Sequence, residues 1–159
     1  MFGLSIAAWY IWTEPFTYNQ IITKTFYMTL PVKHISISIN RPKESVCQFA
    51  SNPINFPQWL AFVKTVSQQS VYAWAAETDL GEIQIQITPQ NELGVIDHTV
   101  TLPDGSQVNN ALRVIQNNNG SEVIFSLFKM PEKSDDEFEK DAASVTADLE
   151  TLKQILEAD

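Results

Sequence analysis

The chain has 159 residues, of which 44% are hydrophobic and 18% are charged, so it can bury the core of one domain and is not globally disordered. Its net charge of −9 would repel phosphate groups, which argues against binding to nucleic acid or to an anionic membrane surface. Cys47 is the single cysteine, so no disulfide can form within the chain, and we predict a cytoplasmic protein. The two histidines stand in no metal-binding motif and the five glycines form no phosphate-binding loop, so we expect neither a metal nor another cofactor.

Residues 1–30 differ in composition from the rest of the chain. They contain eight of the seventeen aromatic residues, and their only charged residues are Glu14 and Lys24. The apolar run at 2–12 lacks a preceding basic segment and is too short to cross a bilayer, so we expect neither a signal peptide nor stable membrane insertion. Met28 precedes the first strand pattern, and one interpretation is that translation starts there. The alternatives are an aromatic arm that covers a partner, a second copy or its own domain, and an anchor at a membrane surface.

Residues 31–159 are predicted to form one α+β domain. In its first strand, at 34–39, three isoleucines alternate with serines, so that one face of the strand is buried. A short helix begins at Asn40–Pro42 and ends at Ser51–Pro53. Residues 54–59 form a second short helical turn.

Runs of apolar residues separated by turn sequences then predict an antiparallel meander. The predicted strands are 66–77, 82–87, 95–102, 108–115 and 122–129. Pro103–Gly105 and Asn117–Gly120 are typical turn sequences, because proline presets one backbone angle and glycine accepts positive φ. A sheet built of consecutive hairpins has one face on the core and the other in water.

The last predicted element is a long helix, Ser134–Leu156. Ser134 and Glu137 have the spacing of a capping box, in which each side chain binds a free backbone amide of the first turn. Apolar residues then recur at steps of four and three and form one continuous stripe, made of Phe138, Ala142, Val145, Leu149, Leu152 and Leu156. We expect the many acidic residues of this helix on its solvated outer face.

A strand, two short helices, a meander and a long C-terminal helix follow one another in the helix-grip fold. Residues 32–157 resemble the SRPBCC superfamily, which includes START-like lipid-transfer domains, birch-pollen-allergen-like proteins and the polyketide cyclase/dehydrase group. The matching segments are ISISINRPKESVCQFASNPINFPQW (Ile35–Trp59), GVIDHTVTLPDG (Gly94–Gly105) and SDDEFEKDAASVTADLETLKQILE (Ser134–Glu157). The resemblance implies a curved antiparallel sheet of six or seven strands wrapped around the helix, with a cavity for an apolar ligand between them.

Strand alternation selects two polar residues for such a cavity. On 95–102 the more apolar face includes His98, and on 108–115 it includes Asn110. The same alternation places Asp97 and Arg113 on the outer face, where they could form a cross-strand pair. His98 is either a core histidine bonded to the backbone, or a group that orients a ligand oxygen or transfers a proton.

The other candidates for the cavity wall are apolar residues of the short helices, the strands and the long helix: Phe56, Trp59, Trp74, Phe125, Phe138, Ala142, Val145 and Leu149. The first functional hypothesis is binding of a small hydrophobic or lipid-like molecule. The second is a polyketide cyclase or dehydratase in which His98 handles protons. The third is a protein-interaction module, such as a homodimer, that uses the aromatic arm. The sequence leaves open whether the protein is an enzyme.

Overall fold

The computed structural model describes residues 29–158, so the predicted aromatic arm lies almost entirely outside the described residues. Seven strands form one antiparallel sheet in the order β1-β7-β6-β5-β4-β3-β2. The strands are β1 (Val32–Ile39), β2 (Val63–Gln68), β3 (Ala73–Thr78), β4 (Gly81–Ile87), β5 (His98–Thr101), β6 (Gln107–Asn117) and β7 (Gly120–Phe128). In this order β2 to β7 form a meander, and β1, the first strand, pairs with β7, the last one.

Three helices complete the domain. After β1 come α1 (Lys43–Ala50) and a 3-10 turn (Pro53–Asn55) that leads directly into α2 (Phe56–Trp59), and the chain ends in α3 (Asp135–Ala158). Pro42 occupies the N-cap of α1, where the missing amide hydrogen costs no helical bond. α1 packs against β6 and β7, whereas α2 contacts β2 and α3. The α2 helix thus links one edge of the sheet to the long helix.

The α3 helix has the predicted capping box. Ser134 N donates to Glu137 Oε2 at 2.8 Å, and Glu137 N donates to Ser134 Oγ at 3.2 Å. The helix packs against β1 and β7 and buries Leu152 completely. A curved seven-stranded antiparallel sheet with a long C-terminal helix and short helices after the first strand confirms the predicted α+β helix-grip fold.

Two predicted strands differ from the structure. The single strand predicted at 66–77 is wrong, because the chain reverses between β2 and β3, where Gln69 N and Ser70 N both donate to Ala73 O. The strand predicted at 95–102 is regular only in β5. Gly94 has φ of +77°, which is not a strand conformation, and Leu112 N donates to the side-chain Oδ1 of Asp97 instead of a backbone carbonyl, so the regular ladder begins only at His98.

The core lies between the inner face of the sheet and the three helices. Its largest fully buried apolar side chains come from every layer and are Ile39, Val46, Phe56, Ile83, Ile96, Leu112, Val114, Val123 and Leu152. Each of the larger members stabilises the fold by about 1.5–3 kcal/mol through the apolar surface that it removes from water. This core fills one part of the space between sheet and helix, and a pocket occupies another.

Candidate functional site

A pocket of about 240 Å³ lies between the sheet and α3. Its wall comes from α2 and the residues after it, from β5, β6 and β7, and from one face of α3: Phe56, Trp59, Leu60, Phe62, His98, Asn110, Leu112, Phe125, Leu127, Asp141, Ser144, Val145, Asp148 and Leu149. Phe62 is 46% exposed, so the pocket has an apolar opening to the surface. Small-molecule pockets span about 300–1,000 Å³, and this one therefore suits a compact molecule better than a lipid with two long chains.

His98 and Asn110 form a hydrogen-bonded pair in the sheet wall of the pocket. The two residues are opposite each other in the β5–β6 register, and Asn110 Nδ2 lies 3.2 Å from His98 Nε2. His98 Nδ1 is 3.1 Å from the carbonyl oxygen of Ile96, which can only accept. Nδ1 therefore carries the proton, and Nε2 accepts from the Asn110 amide. The histidine is thus held as one neutral tautomer.

The burial of His98 lowers the pKa of its imidazole below the usual value of 6.5, although the bond to Ile96 acts in the opposite direction. A second, more open cavity of about 500 Å³ also has His98 and Asn110 in its wall, together with Gln86, Thr88 and Asp97. The pair therefore separates the pocket under α3 from a shallow surface depression. Apolar walls and a smaller opening make the pocket under α3 the better site for an apolar ligand.

Two aromatic rings form the α2 side of the pocket. Phe56 and Trp59 pack edge to face with their centroids 5.9 Å apart, and the Phe56 centroid is 6.4 Å from that of His98. Trp59 is 5% exposed, and its indole Nε1 has no hydrogen-bond partner among residues 29–158. A buried donor without a partner is costly, so the Trp59 N–H lacks the hydrogen-bond acceptor that would offset its burial.

The helical wall carries two carboxylates. Asp148 is 9% exposed, and its Oδ1 accepts a 3.0 Å hydrogen bond from Ala61 N, just after α2. Burial raises the pKa of Asp148 above its usual value of 3.8, and the bond from Ala61 only partly opposes this effect. Asp141, two helical turns earlier, forms an ion pair with Lys133. The helix thus places acidic groups beside the apolar side chains of the pocket.

Most of the predicted wall residues line this pocket. Seven of the ten do so: Phe56, Trp59, His98, Asn110, Phe125, Val145 and Leu149. Trp74 is buried elsewhere in the core, on β3. Phe138 and Ala142 are buried on α3 without lining the pocket. A ligand-binding role for any of these residues stays a prediction.

Sequence reasoning missed the polar residues that α3 contributes to the wall. The acidic residues of the helix were expected in solvent, and for Asp148 this is wrong. Asp141 lies four residues before Val145, and Asp148 lies three residues after it. Both carboxylates therefore share a helical face with Val145, which was predicted to point inward. That spacing was the available signal. It identified the correct side of the helix but not the burial of a carboxylate.

The remaining polar features lie outside the pocket. Arg113 Nη1 pairs with Asp97 Oδ1 on the outer face of the sheet, as the strand alternation predicted. Both side chains are more than a third exposed, so the pair stabilises the fold by at most about 1 kcal/mol. Within residues 29–158 no three His, Cys, Asp or Glu side chains are grouped to hold a metal ion. None of the helices in this described part is long and apolar enough to span a membrane.

No family model and no curated protein matches the sequence. Solved structures do match. The protein XoxI from Bacillus cereus is 17% identical with a TM-score of 0.64, over 81% of this chain and 96% of the other. A START superfamily protein from Mycobacterium smegmatis is 9% identical with a TM-score of 0.63, over 80% and 97%. Ara h 8.0201 is 11% identical with a TM-score of 0.61, over 82% and 99%.

These identities are low, so the likeness extends to the fold and not to the function. The likeness covers about four fifths of this chain and nearly the whole of each of the three other chains. The structure therefore has the helix-grip fold of START superfamily proteins, which is the fold that the resemblance to the SRPBCC superfamily implies.

Proposed function

We propose that the protein binds a small, mainly hydrophobic molecule in the pocket between the sheet and α3. The observation that carries this proposal is the pocket itself, a volume of about 240 Å³ beside the hydrophobic core of the domain. Its wall combines aromatic and aliphatic side chains with a few polar groups at fixed positions, which is the usual composition of a small-molecule site. Apolar contact would supply affinity, and the polar groups would fix orientation.

The volume of the pocket restricts the size of the ligand. About 240 Å³ corresponds to roughly eight water molecules at ~30 Å³ each, so one ring with a short side chain fits. A long acyl chain would have to leave through the opening beside Phe62. The lipid-like ligand expected from the family resemblance is therefore the less favoured form of the proposal.

The test is a titration of the protein with 2-phenylethanol, a neutral one-ring probe, followed by NMR shifts of the pocket residues. Val145→Phe should fill the pocket and weaken binding at least about tenfold. Ala143→Leu, which adds apolar volume on an exposed turn of the same helix, is the matched control and should leave the affinity unchanged. Mass spectrometry of an extract from the purified protein would identify a natural ligand. If no extract contains a ligand and the probe does not bind, this function is excluded.

A second candidate function, proton-transfer catalysis on a polyketide-like substrate, is favoured by one observation. His98, Asp141 and Asp148 line the same pocket, so acid and base groups of two kinds face one volume. Both nitrogens of His98 already have partners, whereas one oxygen of Asp148 has none among the described residues. Burial raises the pKa of Asp148, and a general acid or base is most effective when its pKa lies near the operating pH. Asp148 is therefore the better candidate for the proton transfer.

The catalytic hypothesis is tested with a linear β-polyketone. An intramolecular aldol reaction joins the enol carbon to a carbonyl carbon, and loss of water then gives the cyclic enone, which mass spectrometry detects. We expect Asp148→Asn to abolish product formation while 2-phenylethanol still binds. A product yield equal to that of buffer alone would refute catalysis of this reaction and leave the binding proposal intact.

The interaction hypothesis concerns residues 1–28, which lie outside the described part of the chain. Two versions of the protein, one that begins at Met1 and one that begins at Met28, separate it from the interpretation in which translation starts at Met28. A homodimer that depends on the aromatic arm would appear in sizing experiments only for the longer chain. Equal size and equal thermal stability of the two versions would exclude this function.

A further inference from the structure

The polar atoms of the pocket wall are mainly hydrogen-bond acceptors. The Ser144 hydroxyl donates to Lys140 O at 3.1 Å, so the oxygen of Ser144 retains only its lone pairs. Asp148 uses Oδ1 for Ala61 N, and Oδ2 has no partner among residues 29–158. Asn110 directs its amide nitrogen to His98, and its carbonyl oxygen accepts no hydrogen bond within residues 29–158. The wall thus offers several acceptors to a ligand, against one unpaired donor, the indole N–H of Trp59.

The charges of the wall have one sign. Its titratable groups are His98, Asp141 and Asp148, and no lysine or arginine lines the pocket. The histidine is neutral because of its hydrogen bonds and burial. Lys133 is the cation paired with Asp141 and does not belong to the wall. Asp148 has no cationic partner among the described residues, and a carboxylate 9% exposed is costly without one.

We infer that the pocket selects a hydrophobic amine whose protonated nitrogen binds the Asp148 carboxylate, and that it rejects a carboxylate of the same shape. This inference rests on the proposed function and specifies its ligand class. An ammonium group supplies the donors and the positive charge that the wall lacks, and the ring of the ligand packs against Phe56 and Val145. A fatty acid would bring a second negative charge close to Asp148 and find no cation in the wall.

Three probes of nearly equal size test the inference: 2-phenylethylamine, 2-phenylethanol and phenylacetate, titrated at neutral pH by calorimetry or NMR. The wild-type protein should bind the amine about tenfold more tightly than the alcohol, and phenylacetate the most weakly. Asp148→Asn should weaken amine binding about tenfold and alcohol binding much less. Asp141→Asn is a second variant, with a smaller expected effect because Asp141 already has Lys133 as its partner.

Glu150→Gln is the matched control, since it removes one negative charge from the exposed side of the same helix. It should preserve the preference for the amine. An amine that binds no better than the alcohol, or equal losses in Asp148→Asn and Glu150→Gln, would overturn the inference while alcohol binding keeps the proposed function. Absence of binding for all three probes would overturn the inference and count against the proposed function as well.

Discussion

Two stripes of the same helix, α3, have different compositions and different surroundings. The dry stripe contains Phe138, Ala142 and Leu152, which are buried without lining the pocket. The pocket stripe contains Asp141, Val145 and Asp148. Leu149 is buried at the edge of the pocket. Val145 lies seven residues from both Phe138 and Leu152 and therefore shares their side of the helix, whereas Asp141 and Asp148 lie to one side of it. Position along the helix as well as around it thus separates side chains that hold the fold together from side chains that face an unfilled volume.

In α3, apolar periodicity and burial are therefore not the same property. The dry stripe is apolar because each side chain meets other side chains, and dispersion and water exclusion act together there. The pocket stripe tolerates two carboxylates because the space beside them is not filled by protein. A carboxylate kept at 9% exposure opposes folding, and such costs are concentrated at functional sites.

The largest expected effect comes from the dry stripe. Leu152→Ala removes a side chain with 0% exposure and leaves a cavity that the sheet and helix cannot fully close. We expect the free energy of unfolding to fall by about 2–5 kcal/mol, measured by urea denaturation. Leu80→Ala, at a residue 73% exposed, should change it by less than about 0.5 kcal/mol. A loss below 1 kcal/mol at Leu152 would mean that the dry stripe does not hold the helix.

Two substitutions that enlarge a side chain, one in each stripe, measure how much free space each stripe has. Ala142→Leu adds three carbons where the side chain is already buried, and overpacking should cost about 1–3 kcal/mol. Val145→Leu adds one carbon beside an open volume and should change the stability by less than about 1 kcal/mol. Thermal melts of both variants measure the difference. Equal losses would show that the pocket has no room for an added methylene group.

Much of this architecture was predictable because local rules determine it. The capping box at Ser134 and Glu137 depends on a spacing of three residues, and the inward direction of His98 and Asn110 depends on strand alternation. The reversal between β2 and β3 was missed because its residues include neither glycine nor proline.

The polar part of the site could not be predicted in the same way. Asp148 is held by the backbone amide of Ala61, 87 residues earlier in the chain, and no local pattern connects the two. A helix also presents several faces at once, so an acidic residue next to the apolar stripe is by default assigned to solvent. Burial of the Asp148 carboxylate depends on where α2 ends relative to α3, which is a tertiary property.

The smallest expected effect is a dependence on pH that distinguishes Asp148 from the exposed acids of the helix. Burial raises the pKa of Asp148 in the folded protein, so the folded state binds more protons than the unfolded state at pH values between 3.8 and the folded pKa. The contribution of this residue to stability therefore falls as pH rises through its folded pKa. Asp148→Asn removes that loss and keeps an oxygen for Ala61 N. The variant should therefore gain stability relative to wild type as pH rises from about 3.8 through the folded pKa of Asp148.

Urea denaturation of the wild type, Asp148→Asn and Glu150→Gln at several pH values in this range measures the effect. His98 contributes the opposite slope in all three proteins, because its lowered pKa makes the folded state lose stability as pH falls below 6.5, so only the differences between them report on Asp148. Glu150 is exposed, and its variant should follow the wild type at every pH. If Asp148→Asn also ran parallel to the wild type, its carboxylate would be as well solvated as an outer-face acid. The pocket stripe would then differ from the dry stripe in composition alone, and the reason to expect an amine in the pocket would disappear.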